Sequence, residues 1–141
     1  MYRAVEVFPD KPLVKVLYPE VTTLYENFKR GATKFPQNPC LGARVVLPNG
    51  ERGEYFWQSY ETVQKRFLAF GSGLLNYGLA KGDHLGIYSI NNAEWVIAEQ
   101  ACYTQGIVPI SLYDTLGPDA VAFILEQAGI KVRLSVAALW C

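Results

Sequence analysis

The sequence lacks an excess of charge of either sign. Its 141 residues contain 13 Lys and Arg and 13 Asp and Glu, which gives a formal net charge of zero. Nucleic-acid-binding domains usually carry a basic excess on one face, so this composition argues against that class of partner. It also gives no reason to expect strong attraction to an anionic membrane. We therefore predict no nucleic-acid partner.

Long apolar segments are also missing. The longest apolar-leaning run, residues 134–141, is far shorter than the ~20 apolar residues of a membrane-spanning helix. Near the start of the chain, Pro9 and the charged residues after it interrupt any apolar core of a signal peptide. The sequence therefore predicts an intracellular chain with no transmembrane segment, and it leaves peripheral membrane contact open.

Cysteine and histidine are scarce. Cys40, Cys102 and Cys141 are an odd number at wide spacing, which favours neither a disulfide framework nor a zinc site. His84, the one histidine, has no cysteine or carboxylate partner at ligand spacing, so a structural role is the favoured interpretation. The G-x-S-x-G elbow of serine hydrolases is absent as well.

The first half of the chain predicts a helix and a hairpin. Residues 1–20 contain three prolines and read as an extended leader. Thr23 and Glu26 have capping-box spacing and open a helix that Pro36 ends. Its predicted apolar face consists of Leu24, Phe28, Ala32 and Phe35. Two strand-like runs, 40–47 and 54–57, flank the turn Pro48-Asn49-Gly50 and predict a β-hairpin.

Helical periodicity returns over residues 59–77, with Ser59 suited to cap the helix and Gly78 to end it. One predicted stripe consists of Val63, Phe67, Phe70, Leu74 and Tyr77. Gly71 and Gly73 lie within this helix rather than between a strand and a helix. The segment also matches neither a dinucleotide fingerprint nor a P-loop. We interpret both glycines as small residues that permit close packing.

From Gly82 onwards strands and helices alternate. The predicted order is strand 85–90, helix 93–105, strand 107–112, helix 118–128 and strand 130–136. Short connections in this order are typical of βαβ units with a parallel sheet. The predicted fold class is therefore α/β, with a β-hairpin and helices followed by a Rossmann-like βαβαβ sheet.

Polar residues follow two of these strands. Asn91 and Asn92 come after the first, and Asp114 and Thr115 after the second, at the edge where open α/β sheets place ligands. One interpretation is contact with substrate or with a partner segment. The alternative, favoured for both pairs, is local hydrogen bonding to backbone amides.

Several segments in the same order resemble eukaryotic long-chain fatty acyl-CoA synthetases, which are AMP-forming, adenylate-forming enzymes. The resemblance runs from about residue 12 to about residue 131. It is carried by Thr23-Leu24-Tyr25-Glu26-Asn27-Phe28, Arg30-Gly31-Ala32, Asn38-Pro39-Cys40-Leu41-Gly42, Gly53-Glu54-Tyr55 with Trp57 and Ser59-Tyr60, Gly71-Ser72-Gly73-Leu74, Gly82-Asp83, Ser89-x-Asn91-Asn92-x-Glu94-Trp95 and Leu112-Tyr113-Asp114-Thr115-Leu116-Gly117.

The resemblance implies activation of a long-chain fatty acid with ATP and Mg²⁺ to an acyl-adenylate, followed by transfer to coenzyme A. It also implies that residues 21–136 form the N-terminal part of the large AMP-binding domain. Members are often peripheral to organelle membranes, the endoplasmic reticulum or peroxisome in the family, so the resemblance implies a cytoplasmic location or one peripheral to such a membrane. Trp95, Tyr103 and the Phe67/Phe70 pair are interpreted as core residues, although a fatty-acid tunnel would use similar side chains.

The chain departs from the family pattern where the family's chemistry lies. It contains no Ser/Thr/Gly-rich phosphate loop ending in Pro-Lys-Gly and no Thr-Glu dipeptide. Residues 137–141 form a divergent tail, which we interpret as a changed reading frame, a retained intron or an incomplete gene model. We therefore assign no catalytic, cofactor-binding or metal-binding residue and expect the chain alone to be inactive.

Three alternatives stay open at this point. The chain could be a non-catalytic module that docks on a full-length synthetase or holds fatty acid. It could also be a product that folds poorly and has no function. A dinucleotide-dependent oxidoreductase is disfavoured, because the glycine fingerprint is missing.

Overall fold

The computed structural model of the protein describes residues 17–113 and 115–135. Asp114, the tail at 137–141 and most of the predicted leader lie outside these ranges. The helices and strands, in chain order, are α1 (Leu24–Lys34), β1 (Pro39–Val46), β2 (Arg52–Ser59), α2 (Tyr60–Asn76), β3 (His84–Tyr88), α3 (Ala93–Gln105), β4 (Val108–Leu112), α4 (Pro118–Gln127) and β5 (Val132–Ser135). The predicted α/β order of elements is confirmed.

Helix α1 begins at the predicted capping box. The Glu26 amide donates to Thr23 Oγ1 at 3.1 Å, and the Thr23 amide donates to Glu26 Oε2 at 2.9 Å. The predicted apolar face is wrong at both ends, because Leu24 is 61% exposed and Phe35, which caps the helix, is 49% exposed. Tyr25, one residue or about 100° further round the helix, instead packs edge-on against Phe67 of α2.

Strands β1 and β2 form the predicted antiparallel hairpin, in which β2 is longer than the predicted run 54–57. The indole of Trp57 lies over Gly42, where a Cβ atom would come within 2.8 Å of the ring. The hairpin bears six large apolar side chains that are at least 40% exposed: Val45, Val46, Leu47, Tyr55, Phe56 and Trp57. Because a two-stranded hairpin buries little by itself, this surface has little cover within the described residues.

Helices α2 and α3 pack against each other and hold the main core. Val63, Phe67 and Leu74 of the predicted α2 stripe are buried. Tyr77 is 75% exposed, because it caps the helix beyond the last packed turn. Gly71 faces α3, as its predicted packing role requires, but the same prediction for Gly73 is wrong, since nothing lies within 4 Å of the position of its Cβ.

The core of buried apolar side chains extends from this helix pair onto one face of the parallel sheet. Its buried members are Val63, Phe67, Leu74, Leu79, Leu85, Ile97, Ala101, Cys102 and Ile107. Helix α3 ends at Gly106, whose φ of +66° lies in the left-handed region that a side chain disfavours. None of the helices in the described ranges is long and apolar enough to span a bilayer.

The parallel sheet has the strand order β4-β3-β5, so the first of its strands along the chain lies in the middle. Leu85 of β3 pairs in register with Pro109 of β4 and with Val132 of β5. Leu85 and Val132 face the α2–α3 core. The neighbouring Gly86 faces the other way, where a Cβ would lie 3.3 Å from Ile130 and from Leu112. Helices α3 and α4 therefore cover opposite faces.

Candidate functional site

The carboxyl ends of the three parallel strands meet beneath α4. Tyr88, Leu112 and Ser135 are the last residues of β3, β4 and β5. They line a groove of ≈ 510 Å³ together with Leu116, Pro118, Val121, Ala122, Leu125 and Arg133. A central strand flanked on both sides, with helices on opposite faces, is the arrangement in which α/β sheets place ligands at this edge. We refer to this groove as the α4 groove.

The chemistry of the α4 groove is mostly apolar. Val121, Ala122 and Leu125 form its helical wall, and none of the α4 side chains is fully buried. Arg133 is the one charged side chain that lines it, with the Tyr88 and Ser135 hydroxyls as further polar groups. Such a surface suits an apolar ligand segment with a negatively charged or hydrogen-bonding end.

The two asparagines after β3 have different roles. Asn92 caps α3, since its Oδ1 accepts from the Trp95 amide at 2.8 Å and its Nδ2 donates to Ser89 Oγ at 3.1 Å. These bonds agree with the interpretation that Asn92 hydrogen-bonds locally to the backbone. Asn91 is exposed and lines a second groove, between the hairpin and the segment that follows β3.

The loop after β4 is only partly described. The Leu116 amide donates to the Tyr113 carbonyl at 3.1 Å, which closes a turn, and Leu116 and Pro118 line the α4 groove. Thr115 is exposed beside them, whereas Asp114 lies outside the described residues. The substrate interpretation of this pair stays a prediction.

His84 lies at the opposite, amino-terminal edge of the sheet. Its Nδ1 hydrogen-bonds to the Ala128 carbonyl at the end of α4. The adjacent Asp83 carboxylate binds Lys131 Nζ at 2.7 Å and accepts from the Ala80 amide at 2.9 Å. These bonds, the lysine first, lower the pKa of Asp83. The group ties α4 and β5 to β3, which agrees with a structural role for His84.

The described cysteines do not form a nucleophilic site. Burial raises the pKa of Cys102 to about 12, with the nearby Glu99 carboxylate adding to the effect. Burial also raises the pKa of the Cys40 thiol. Because the thiolate is the reactive form, both thiols are held in an unreactive state near neutral pH.

The aromatic side chains are divided between core and surface. Phe67 is fully buried, with Tyr25 and Phe28 packed edge-on against it at centroid distances of 6.4 and 5.0 Å. Tyr103 is half-buried and donates to Glu99 Oε1 at 2.9 Å; burial, followed by this bond, raises its pKa to about 12. Core packing is therefore confirmed for Phe67.

Sequence reasoning missed three polar residues at the grooves. Arg133 and Tyr88 were read only as parts of strands, and Arg44 only as part of the hairpin. Alternation along the strands offers a signal for the first two, because Arg133 lies opposite Gly86 and faces away from the core. No such signal exists for Arg44, whose environment depends on a bulge between the hairpin strands.

The acidic, histidine and cysteine side chains of the described residues are dispersed. No group of three His, Cys, Asp or Glu side chains is arranged to hold a metal ion in these ranges.

Comparison with known sequences gives a consistent pattern. The model of the family described as AMP-binding enzyme matches residues 28–139. Long chain acyl-CoA synthetase 7, peroxisomal, from Arabidopsis thaliana is 40% identical over 134 residues, which are 95% of this chain and 18% of that protein. Long-chain-fatty-acid–CoA ligase 5 from Mus musculus is 42% identical over 125 residues, 87% of this chain and 18% of that protein. The chain thus spans about a fifth of the length of these relatives.

Solved structures share the fold. CmiS6 superposes with a TM-score of 0.73 at 21% identity, covering 82% of this chain and 26% of its own. The adenylation domain of a carboxylate reductase from Mycobacterium chelonae gives 0.72 at 21% identity, over 84% of this chain and 20% of its own. The N-terminal subdomain of NpsA from Klebsiella oxytoca superposes with a TM-score of 0.68 at 19% identity, covering 84% of this chain and 28% of its own. At these identities the likeness concerns the fold alone.

Proposed function

The chain belongs to the AMP-binding enzyme family, and on this premise we propose that it forms part of a long-chain fatty acyl-CoA synthetase. The full reaction would activate a long-chain fatty acid with ATP to an acyl-adenylate and then transfer the acyl group to coenzyme A. The observation that carries this proposal is 40% identity to an acyl-CoA synthetase over 95% of the chain.

Within such an enzyme, the α4 groove would contact substrate or a neighbouring segment of the polypeptide. Its apolar wall and the guanidinium of Arg133 suit a molecule that has both an apolar and an anionic part. The turn at Tyr113–Leu116 borders this groove and belongs to a segment that resembles the family. We assign these residues a contact role and no chemical step.

The 141-residue chain alone would not perform the reaction. ATP activation needs groups that hold magnesium and stabilise the pyrophosphate leaving group, and such electrostatic stabilisation is usually the largest catalytic contribution. The described residues supply no metal-binding cluster. The proposal is therefore that this chain contributes structure and contacts, while other polypeptide contributes the chemistry.

A chimera tests the proposal directly. The segment of the Arabidopsis thaliana synthetase 7 that matches this chain would be replaced by this chain, and acyl-CoA formation measured with fatty acid, ATP, Mg²⁺ and coenzyme A. We expect activity in the chimera and none in the isolated chain. A chimera that unfolds cooperatively yet makes no acyl-adenylate would contradict the proposal, as would turnover by the isolated chain above a protein-free control.

A second candidate is a non-catalytic module that docks on a full-length synthetase or holds fatty acid. The exposed apolar hairpin favours it, because patches of this kind commonly mark interaction surfaces. Co-purification of the tagged chain with a full-length relative would support docking, and a monodisperse, unassociated chain in the same mixture would exclude it. For either candidate we propose a cytoplasmic location or one peripheral to the endoplasmic reticulum or peroxisome.

A further inference from the structure

A second groove, separate from the α4 groove, lies between the hairpin and the segment that follows β3. It has a volume of ≈ 470 Å³, which falls within the range of about 300–1,000 Å³ typical of small-molecule sites. The residues with polar side chains that line it are Arg44, Arg52, Tyr55, Asn91, Asn92 and Glu94. We refer to it as the hairpin groove.

Arg44 is held in place before any ligand arrives. Its Nε donates to the Gly53 carbonyl at 2.9 Å, and its Nη2 donates to the Arg52 carbonyl. These carbonyls lie where the strand register shifts between Arg44 and Val46. A guanidinium has five N–H donors, so this arrangement fixes the charge and leaves donors free for a ligand.

Arg44 and Arg52 have no acidic partner within residues 17–113 and 115–135. The ion pairs in these ranges join Arg30 to Glu20, Lys65 to Glu61, Arg66 to Glu94 and Lys131 to Asp83. Arg44 and Arg52 are absent from this set, and both are exposed.

The negative charge of the groove is already neutralised. Glu94 is the one carboxylate that lines it, and its Oε1 is 3.1 Å from Arg66 Nη2. Arg66 is held in turn by Gln58 Oε1 at 2.6 Å. Because the charges of Glu94 and Arg66 cancel each other, the hairpin groove keeps the positive charge of Arg44 and Arg52.

We propose that the hairpin groove binds a phosphate group carried by a small molecule or by a lipid headgroup. Phosphate suits donors that converge from several directions, and here they come from β1, from β2 and from Asn91. The Tyr55 ring is stacked on Trp57, with the ring centroids 5.7 Å apart, and supplies an apolar surface for the part of the ligand next to the phosphate. This inference goes beyond the proposed acyl-CoA synthesis and does not depend on it.

A titration of the full chain with inorganic phosphate, at constant ionic strength and followed by amide NMR, tests the site. We expect shifts confined to residues 41–44, 52–55 and 90–94. Arg52→Gln should weaken binding by about tenfold, because one charge-assisted contact is removed. Arg52→Lys should retain part of the affinity. Lys65→Gln, which removes one charge from an exposed pair elsewhere, is the matched control and should bind as the wild type does.

A second arm separates the two sources of phosphate. Vesicles containing phosphatidic acid are compared with vesicles of phosphatidylcholine alone in a sedimentation assay. Binding of inorganic phosphate alone supports a soluble ligand, and Arg52-dependent sedimentation with phosphatidic acid supports a headgroup. No localised shift together with no sedimentation overturns the proposal. Equal responses of the wild type and Arg52→Gln, with a dispersed variant spectrum, also overturn it.

Discussion

The contact between α2 and α3 makes a sharp prediction, because two glycines in one helix have opposite surroundings. A Cβ at Gly71 would lie 2.9 Å from Thr104 Oγ1 and 3.3 Å from the Ala101 carbonyl. A Cβ at Gly73 would meet nothing within 4 Å. Glycine inside a helix is about 1 kcal/mol less favourable than alanine, so the same substitution carries the same intrinsic gain at both positions.

Packing against α3 decides how far the two variants differ in their free energy of unfolding. Gly73→Ala should raise the free energy of unfolding by about 1 kcal/mol. At Gly71 the new methyl group would overpack the interface at a cost of about 1–3 kcal/mol. Thr104 cannot move away freely, because its hydroxyl donates to the Ala101 carbonyl at 2.7 Å. Gly71→Ala should therefore lower the free energy of unfolding by about 0–2 kcal/mol after the helical gain is subtracted.

Urea denaturation followed by far-UV circular dichroism measures both variants under identical conditions. The expected outcome is that Gly71→Ala is less stable than Gly73→Ala by about 1–3 kcal/mol, with unchanged dependence on urea. Equal stabilisation of the two variants would refute the close approach of α2 and α3. Destabilisation by Gly73→Ala would refute the use of helix propensity at that exposed position.

Three further predictions follow from the core and from the ionisable groups. Phe67→Ala should lower the free energy of unfolding by about 3–5 kcal/mol, whereas Leu75→Ala on the exposed side of α2 should change it by less than about 1 kcal/mol; similar losses in urea titrations would contradict the assigned core. Cys102 should stay unmodified by N-ethylmaleimide near neutral pH until urea unfolds the chain, and peptide mapping that finds it labelled in the folded state would count against its burial. The pKa of Asp83 is lowered in the folded state, so its contribution to stability is present above its unfolded pKa and is lost as pH falls through the folded pKa. Asp83→Asn should accordingly have a lower free energy of unfolding than the wild type near neutral pH, and the two values should converge in acid. A difference in unfolding free energy that stays constant with pH would refute the Asp83–Lys131 pairing.

Features fixed by a few neighbouring residues could be predicted from the sequence. The capping box of α1, the Ser59 cap of α2 and the glycine stop after α3 are local, because each depends on hydrogen bonds or backbone angles within about one helical turn. The alternation of strands and helices followed from periodicity alone. The segments that resemble the family added the expectation of an adenylate-forming enzyme.

Features that depend on distant segments could not be predicted. The position of β3 between β4 and β5 depends on pairing that the chain order does not encode. Asp83 and Lys131, which form an ion pair, are 48 residues apart. The exposure of Leu24 and Tyr77 depends on where each helix stops touching its neighbour. For the candidate site, the role of Asn92 was among the alternatives, whereas the arginines of both grooves were not.

The central position of β3 has a consequence for the order in which the sheet can assemble. Strand β3, helix α3 and strand β4 are consecutive and can complete a paired unit before α4 and β5 leave the ribosome. Helix α4 and β5 then close over an existing platform, and α4 contributes no fully buried side chain. Opening of α4 alone would expose the α4 groove while leaving the core between α2 and α3 intact.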